Sequence, residues 1–251
     1  MSRPSLYQQL AMELRKSITI GEYPPGSQLP TEHGLVERHG VSRNTVRLAL
    51  KLLENEGLIT RAPRRGTIVR ERRTLLIRPQ SELRALATDG HNQKDAFVRA
   101  VTAEGRQPRY EIEVTIVRPP EDVADRLALP EDGLAAARRR LRLVDELPYN
   151  LYDSYYPLDL VKGSEITKPD NIIRGANRVL DELGHPQVRM VDEISARMPT
   201  PEEIRRLALE PGTPVLHYTR TGYDPQDVAV RVAVSILSAD KHVIRYELMP
   251  E

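Results

Sequence analysis

The sequence predicts an α+β chain (α/β in the broad sense), with a small helical head and a larger body that pairs a mostly antiparallel sheet with flanking helices. Three observations predict it. Apolar residues recur at helical spacing as far as Leu53. From about Asp89 onward, short segments alternate apolar and polar with the period of a strand. Charge divides near the same place. The 251 residues carry 37 Lys+Arg and 36 Asp+Glu, yet 13 basic and 7 acidic residues lie up to Arg73, a net +6, against 24 and 29 beyond it, a net −5. A basic head on an acidic body points to one domain that meets a polyanion and another with different duties.

The head reads as follows. Leu6, Leu10, Leu14 and Ile18 recur every four residues and predict one amphipathic helix that runs out near Gly21. Tyr23-Pro24-Pro25-Gly26 is a turn in which the prolines fix φ. Thr31 is placed to cap a second helix, with Glu32 in its first turn and Gly40 available as a left-handed C-cap. Ser42 caps a third helix, on which Arg43, Arg47 and Lys51 stand at i, i+4 and i+8 with Asn44 beside them. Val46, Ala49, Leu50 and Leu53 take its opposite face. In isolation such a basic face is usually only solvated. Its context here is a short helix and a tight turn, the plan of a helix-turn-helix, in which Arg suits guanine edges and phosphates and Asn suits adenine. Residues 58–61 and 67–70 then alternate like two strands, and the tip between them carries Arg64 and Arg65. That hairpin makes the plan a winged helix, with a tip suited to minor-groove or phosphate contact.

These residues resemble the DNA-binding domain of GntR-family transcriptional regulators. The resemblance rests on Gly21-x-Tyr23-Pro24-Pro25-Gly26-x-x-Leu29-Pro30-Thr31-Glu32 and on Gly40-Val41-Ser42-Arg43-x-Thr45-Val46-Arg47-x-Ala49-Leu50, completed by Glu56-Gly57-Leu58-Ile59 and the wing Gly66-Thr67. It implies DNA contacts from His33 on the second helix, from Ser42, Arg43, Asn44, Thr45 and Arg47 on the third, and from Arg64, Arg65 and Gly66 on the wing. His33 departs from the pattern, since an arginine would serve better there and a neutral histidine carries no charge.

Composition excludes several classes. The chain has no cysteine, so neither disulfides nor thiol chemistry contribute. No segment approaches the roughly 20 apolar residues of a membrane span, and no apolar run follows basic residues at the N-terminus, so the expectation is a cytoplasmic protein without a membrane partner. Ten Tyr, one Phe and no Trp are too scattered for a single-strand stacking platform. The six histidines lie far apart, and no phosphate loop, nucleophile elbow or Ser/His/Asp cluster stands out. No metal or cofactor is expected, and no enzyme.

In the body, residues 111–118, 137–144, 188–196 and 228–237 alternate as strands. An internal echo joins Arg126-Leu127-Ala128-Leu129 with Arg206-Leu207-Ala208-Leu209, each after an acidic helix opening and before two alternating strands. Two helix-strand-strand units are thus expected to build one pseudo-symmetric sheet with helices on one side. The expected division is a head over residues 1–73, a linker over 74–88 and a body over 89–251. The body resembles the UTRA effector-binding domain of the HutC branch of the same family, through Arg140-x-Arg142-x-x-Asp145, Tyr156-Pro157-x-Asp159-Leu160, Pro211-Gly212-Thr213-Pro214-Val215-Leu216, Arg220-Thr221 and Asp240-Lys241.

That resemblance implies a chorismate-lyase-like fold, a homodimer, a small-molecule site beside the sheet, and ligand-controlled repression of a palindromic operator on double-stranded DNA. The site residues it implies are Arg140, Arg142, Tyr152, Asn177, Arg231 and His242. Arg140 and Arg142 hold the positions of a phosphate-binding arginine pair. The other groups differ: Tyr152 stands near an expected glutamate, Gly175 and Asn177 replace a serine and a tyrosine, His242 replaces a tyrosine, and Arg231 stands where an acidic residue is common. These departures argue against a hexosamine phosphate and leave the effector unidentified. Two other readings stay open, a constitutive repressor with a ligand-free dimerisation domain and, with less support, a lyase-like enzyme.

Overall fold

The computed structural model of the chain describes residues 4–62, 65–70, 74–80 and 96–247. It forms two compact units, Met1–Arg73 with Leu209–Pro214, and Thr74–Ala208 with Val215–Glu251.

The head is three helices and a hairpin: α1 (Leu6–Thr19), α2 (Glu32–His39), α3 (Arg43–Asn55), β1 (Ile59–Ala62) and β2 (Gly66–Val69). The caps fall where their chemistry requires. Thr31 Oγ1 accepts from Gly34 N at 3.1 Å and Ser42 Oγ from Thr45 N at 3.1 Å. Each such cap stabilises its helix by about 1 kcal/mol. Gly40 ends α2 in the left-handed region at φ +61°, which glycine enters without a Cβ penalty. Leu10, Ala11 and Leu14 of α1 pack with Leu35, with Val46, Ala49, Leu50 and Leu53 of α3, and with Ile59 and Val69. Leu6, expected on the same stripe, lies in the first turn of α1 and is exposed, outside that cluster. The hairpin has a third member. Leu29 N donates to Thr67 O at 2.8 Å and Val69 N to Ser27 O at 2.8 Å, so the stretch after the proline turn runs along β2.

The body opens with β3 (Leu75–Ile77) and α4 (Ala96–Ala103). Then follow β4 (Pro108–Val117), α5 (Glu121–Arg126), β5 (Ala135–Val144), β6 (Leu147–Pro157), α6 (Leu158–Val161), a 3₁₀ turn (Glu165–Thr167) and α7 (Ala176–Glu182). The second half is β7 (Arg189–Arg197), α8 (Pro201–Leu207), β8 (Val215–Tyr223), β9 (Ala229–Ser238) and β10 (His242–Ile244). Six strands form one antiparallel sheet in the order β4-β5-β6-β9-β8-β7. The order is a palindrome of two strand-helix-strand-strand units meeting at β6 and β9, as the echo implied. Even the caps repeat, for Ala128 and Ala208 both take positive φ (+50° and +46°) at the ends of α5 and α8.

Two features depart from the sequence reading. Helices cover both faces of the sheet. Ala135, Ala137 and Tyr155 pack on Val123 and Leu127 from α5, whereas their neighbours Ala136 and Tyr156 pack on Val161, Ile166, Val179 and Leu180 from α6, the 3₁₀ turn and α7. Adjacent strand residues point oppositely, so β5 is apolar on both faces at its start and cannot leave either in water. Second, three residues within the expected linker are a strand, since β3 pairs in parallel with β10, Leu75 opposite His242.

Leu50, 1% exposed, tests the head's core. Leu50→Ala should destabilise it by about 2–5 kcal/mol. Differential scanning calorimetry checks this as a lowered head transition with the transition of the body unmoved.

Candidate functional site

The outward face of the head is built from α2, α3 and the hairpin. Burial of Val46, Ala49, Leu50 and Leu53 turns Arg43, Asn44 and Arg47 to solvent, with Thr45 half-buried. Arg43 and Arg47 side chains are 72% and 57% exposed. Both converge on one carboxylate. Arg43 Nε and Arg47 Nε each donate to Glu32 Oε2 at 3.2 Å, and Arg61 Nη1 stands 3.8 Å from Glu32 Oε1. Burial alone would raise the Glu32 pKa, but the two arginine hydrogen bonds and their charges hold it below its ordinary value. Glu32 therefore stays ionised and orients the long cations of α3. Ser42 is occupied at the helix N-terminus, its Oγ 2.8 Å from Thr45 Oγ1 as well as capping the backbone. His33 is exposed in the first turn of α2, with Nε2 3.3 Å from Glu37 Oε1. Arg65 and Gly66 are exposed at the hairpin tip, and Arg64 lies outside the described residues. Gly66 has φ +77°, and a Cβ there would meet Gln28 Nε2 at 2.5 Å.

A second site lies on one face of the body's sheet. Alternation along β5 puts Arg138, Arg140 and Arg142 on this face, opposite Ser154, Tyr152 and Asn150 of β6. Arg138 is fully buried and donates to the carbonyls of Ile166, Lys168 and Asp170 at 3.0, 2.5 and 2.8 Å. It is a brace for the 3₁₀ turn, and burial lowers its pKa from the ordinary value. Arg231 of β9 is tied down too, donating to Asn177 Oδ1 at 2.8 Å, Tyr152 Oη at 2.7 Å and Ser154 Oγ at 3.1 Å. Arg142 also lies among rings, its guanidinium carbon 3.9 Å from the Tyr152 centroid and 4.9 Å from that of Phe97. Beside it opens a cavity of about 290 Å³, roofed by β3 and α4 and floored by β5, β6, β8 and β9. Arg220 enters this cavity in a bidentate pair with Asp192, 2.6 and 2.8 Å. Burial would raise the Asp192 pKa, but the Arg220 hydrogen bonds and charge hold it below the ordinary carboxylate value.

Residues 6–69 match the family described as bacterial regulatory proteins, gntR family, and residues 103–243 match the UTRA domain. The chain is 32% identical to an HTH-type transcriptional regulator of Streptomyces coelicolor over 251 residues, covering 96% of this chain and 91% of that one.

This chain belongs to the GntR family.

Its pairing of a GntR head with a UTRA body is that of the HutC-type GntR regulators. The chain is also 28% identical to the transcriptional repressor NagR of Bacillus subtilis, over 94% of this chain and 92% of NagR. The fold matches the crystal structure of PhnF from Mycobacterium smegmatis with TM-score 0.59 at 19% identity, covering 98% of this chain and all of that one. These families and relatives are transcriptional regulators, not enzymes. Among the described residues no helix is long and apolar enough to cross a membrane, and no cluster of three His, Cys, Asp or Glu could hold a metal.

Of the six effector-site residues implied by the sequence, the GntR regulator brings Arg142 and Tyr152 to the cavity wall. Arg140 is buried with its guanidinium carbon 5.7 Å from the Tyr152 centroid, and Asn177 and Arg231 belong to the network beneath. His242 is buried, with Nδ1 2.9 Å from Ser238 O and Nε2 3.3 Å from Asn150 Nδ2. The sequence reading missed Arg220 and Tyr218 in the cavity. The internal echo could have found Arg220: Arg140 pairs across to Tyr152 as Arg220 pairs to Ala233, eighty and eighty-one positions on. Nothing in the sequence pointed to β3 or α4 as a roof.

Two outcomes follow from these contacts. Glu32→Gln frees Arg43 and Arg47 and removes a charge that repels phosphate. Binding to random duplex should hold or strengthen, while discrimination between specific and scrambled sites narrows by about tenfold, roughly 1.4 kcal/mol. Fluorescence anisotropy with both duplexes measures it. His242 has its pKa pushed down to about 4, first by burial. The unfolded chain therefore takes this proton before the folded one does. Body stability should hold above pH 6.5 and fall by up to about 3 kcal/mol as pH drops towards 4. Urea melts of His242→Gln should lack that part of the pH dependence.

Proposed function

We propose that this GntR regulator is a homodimeric repressor that binds a palindromic operator through His33, Ser42, Arg43, Asn44, Thr45, Arg47, Arg64, Arg65 and Gly66, and releases it when a small molecule occupies the body. It acts on double-stranded DNA and hence in the cytoplasm. The exposed α3 face supports the first half: two arginines, held by one carboxylate, stand beside a serine-capped helix start. Repression follows the likeness to NagR. Association of two copies is supported by β7, an edge strand of the sheet that exposes Val191 and Ile194.

The observation that carries ligand control is the cavity roof. Residues 75–79 line the cavity and begin two positions past Arg73, where the head ends in the chain. A ligand touching these residues acts on the segment that leads to the DNA-binding unit, and it shifts operator affinity to the extent that it binds two arrangements of that segment differently, typically by about 1–3 kcal/mol. This favours a ligand-controlled regulator over a constitutive one. Arg142 and Tyr152 are its leading contacts, with Arg140, Asn177, Arg231 and His242 as their support.

Selection from random DNA should return an inverted repeat. Arg43→Ala and Arg47→Ala should each abolish protection of that sequence in footprints while sedimentation still reports a folded dimer. Unchanged footprints in both variants would remove α3 from the interface, and a monomer at micromolar concentration would remove the two-fold operator.

A further inference from the structure

The wing carries a polar side chain that the proposed contacts leave out. The stretch after the proline turn lies beside β2, with Gln28 opposite Ile68. Hydrogen bonds from Leu29 N to Thr67 O and from Val69 N to Ser27 O flank that pair. Leu29 and Ser27 Oγ are buried, so alternation turns Gln28 to the outer face, where it is exposed. Gly66 and Ile68 share that face, since the adjoining Val69 is buried in the core. The Gln28 side chain runs towards the hairpin tip: a Cβ on Gly66 would meet its Nε2 at 2.5 Å, Cδ at 3.4 Å and Cγ at 3.7 Å. The carboxamide therefore lies against the Gly66 backbone, in the space that a side chain would fill. At φ +77° the backbone calls for glycine, and so does this close approach. Exposed Arg65 is the next residue along the tip. In the other direction the chain passes from Gln28 through Leu29-Pro30-Thr31 to the first turn of α2 and His33. Gln28 thus touches one element proposed to meet DNA and leads along the chain to another.

From this seat we infer that Gln28 reads base edges with the wing: its carboxamide donates to acceptors in the minor groove beside Arg65 and favours A·T pairs over G·C. The inference rests on the wing meeting DNA, and it adds a residue that tells one sequence from another there. A cation at the tip finds phosphates on any duplex, so it fixes position more than sequence. A carboxamide adds two N–H donors and one acceptor without charge. In the minor groove A·T pairs show only the acceptors A N3 and T O2, whereas G·C adds the amino donor of G. Narrow A·T grooves are also the more negative, which favours the donor end of the amide and the Arg65 cation together. Backbone pairing at Gln28 and the glycine seat limit the rotamer freedom that an exposed glutamine would otherwise lose on binding.

The test uses the full-length chain and the inverted repeat returned by selection, read by footprinting and fluorescence anisotropy. Arg65→Ala first marks the base pairs of the wing as those whose protection it removes. Duplexes are then made with A·T, hypoxanthine·C or G·C at these pairs. Hypoxanthine lacks the amino group of G and keeps the minor-groove acceptors, so the native chain should bind the first two within about twofold of each other. It should bind the G·C duplex about fivefold more weakly. Gln28→Met keeps a chain of similar length along Gly66 but offers no N–H. It should bind all three duplexes alike, with the melting temperature of the head unchanged. Gln28→Ala should do the same, and the comparison of duplexes on the native chain needs no variant at all. Gln28→Met that still prefers A·T and hypoxanthine·C over G·C overturns the inference, as does a native chain that treats hypoxanthine·C like G·C. So does an equal loss from selected and scrambled duplexes in Gln28→Met, which would make the residue a support of the wing. Arg65→Ala with unchanged protection removes the wing from the DNA, and the inference falls with that reading. Loss of protection in Arg65→Ala beside an indifferent Gln28→Met removes Gln28 alone.

Discussion

What the head presents to DNA depends on how α3 is buried. Val46, Ala49, Leu50 and Leu53 must leave water, each valine or leucine contributing about 1.5–3 kcal/mol when fully covered, and α1, α2 and the hairpin supply the cover. Once that stripe is seated, helical geometry leaves Arg43, Asn44 and Arg47 no direction but outward. Affinity for a polyanion is thus a by-product of core formation. The caps complete it, because Ser42 sets where α3 starts and hence which backbone amides stay open at its end.

Exposed cations alone would give a sticky surface rather than a reading head. Glu32 changes that by accepting from Arg43 and Arg47 together and standing near Arg61. The carboxylate lowers the entropy of the side chains it holds, at the expense of some attraction to phosphate. Its place in the first turn of α2 also suits the helix dipole, so one residue serves both the fold and the interface. The same economy appears in the body, where Arg138 spends its charge on three carbonyls and Arg231 on a hydroxyl and amide network, while Arg142 stays stacked at the edge of the cavity. Five arginines sharing one sheet face thus divide into structural braces and groups at the cavity wall.

The palindromic sheet explains how that face arose. Two equivalent units meet at β6 and β9, so positions in one have counterparts in the other, and the counterparts differ in what they face. Arg140 faces Ile112 across the strand pair, whereas Arg220 faces Asp192. The cavity floor draws on both units, while its roof, β3 and α4, has no counterpart in the repeat, and the chain that forms this roof also leads from the head.

Periodicity and capping chemistry in the sequence determined the three helices of the head, its hairpin, the solvent-facing residues of α3 and the two repeated units of the body, because each is a local pattern: a period, a cap or a turn that neighbouring residues settle among themselves. It also determined that Arg140 and Arg142 share a face. Tertiary structure decided which arginines are braces, that helices cover both sides of the sheet, that residues 75–77 are a strand, and that the cavity lies towards Tyr218 and Arg220. Those outcomes depend on segments as far apart as Leu75 and His242 coming together, and on whether carbonyls or carboxylates happen to face a given guanidinium. No periodicity along the chain encodes such meetings, since the free energy that settles them belongs to pairs of distant residues and exists only once the chain has closed around them.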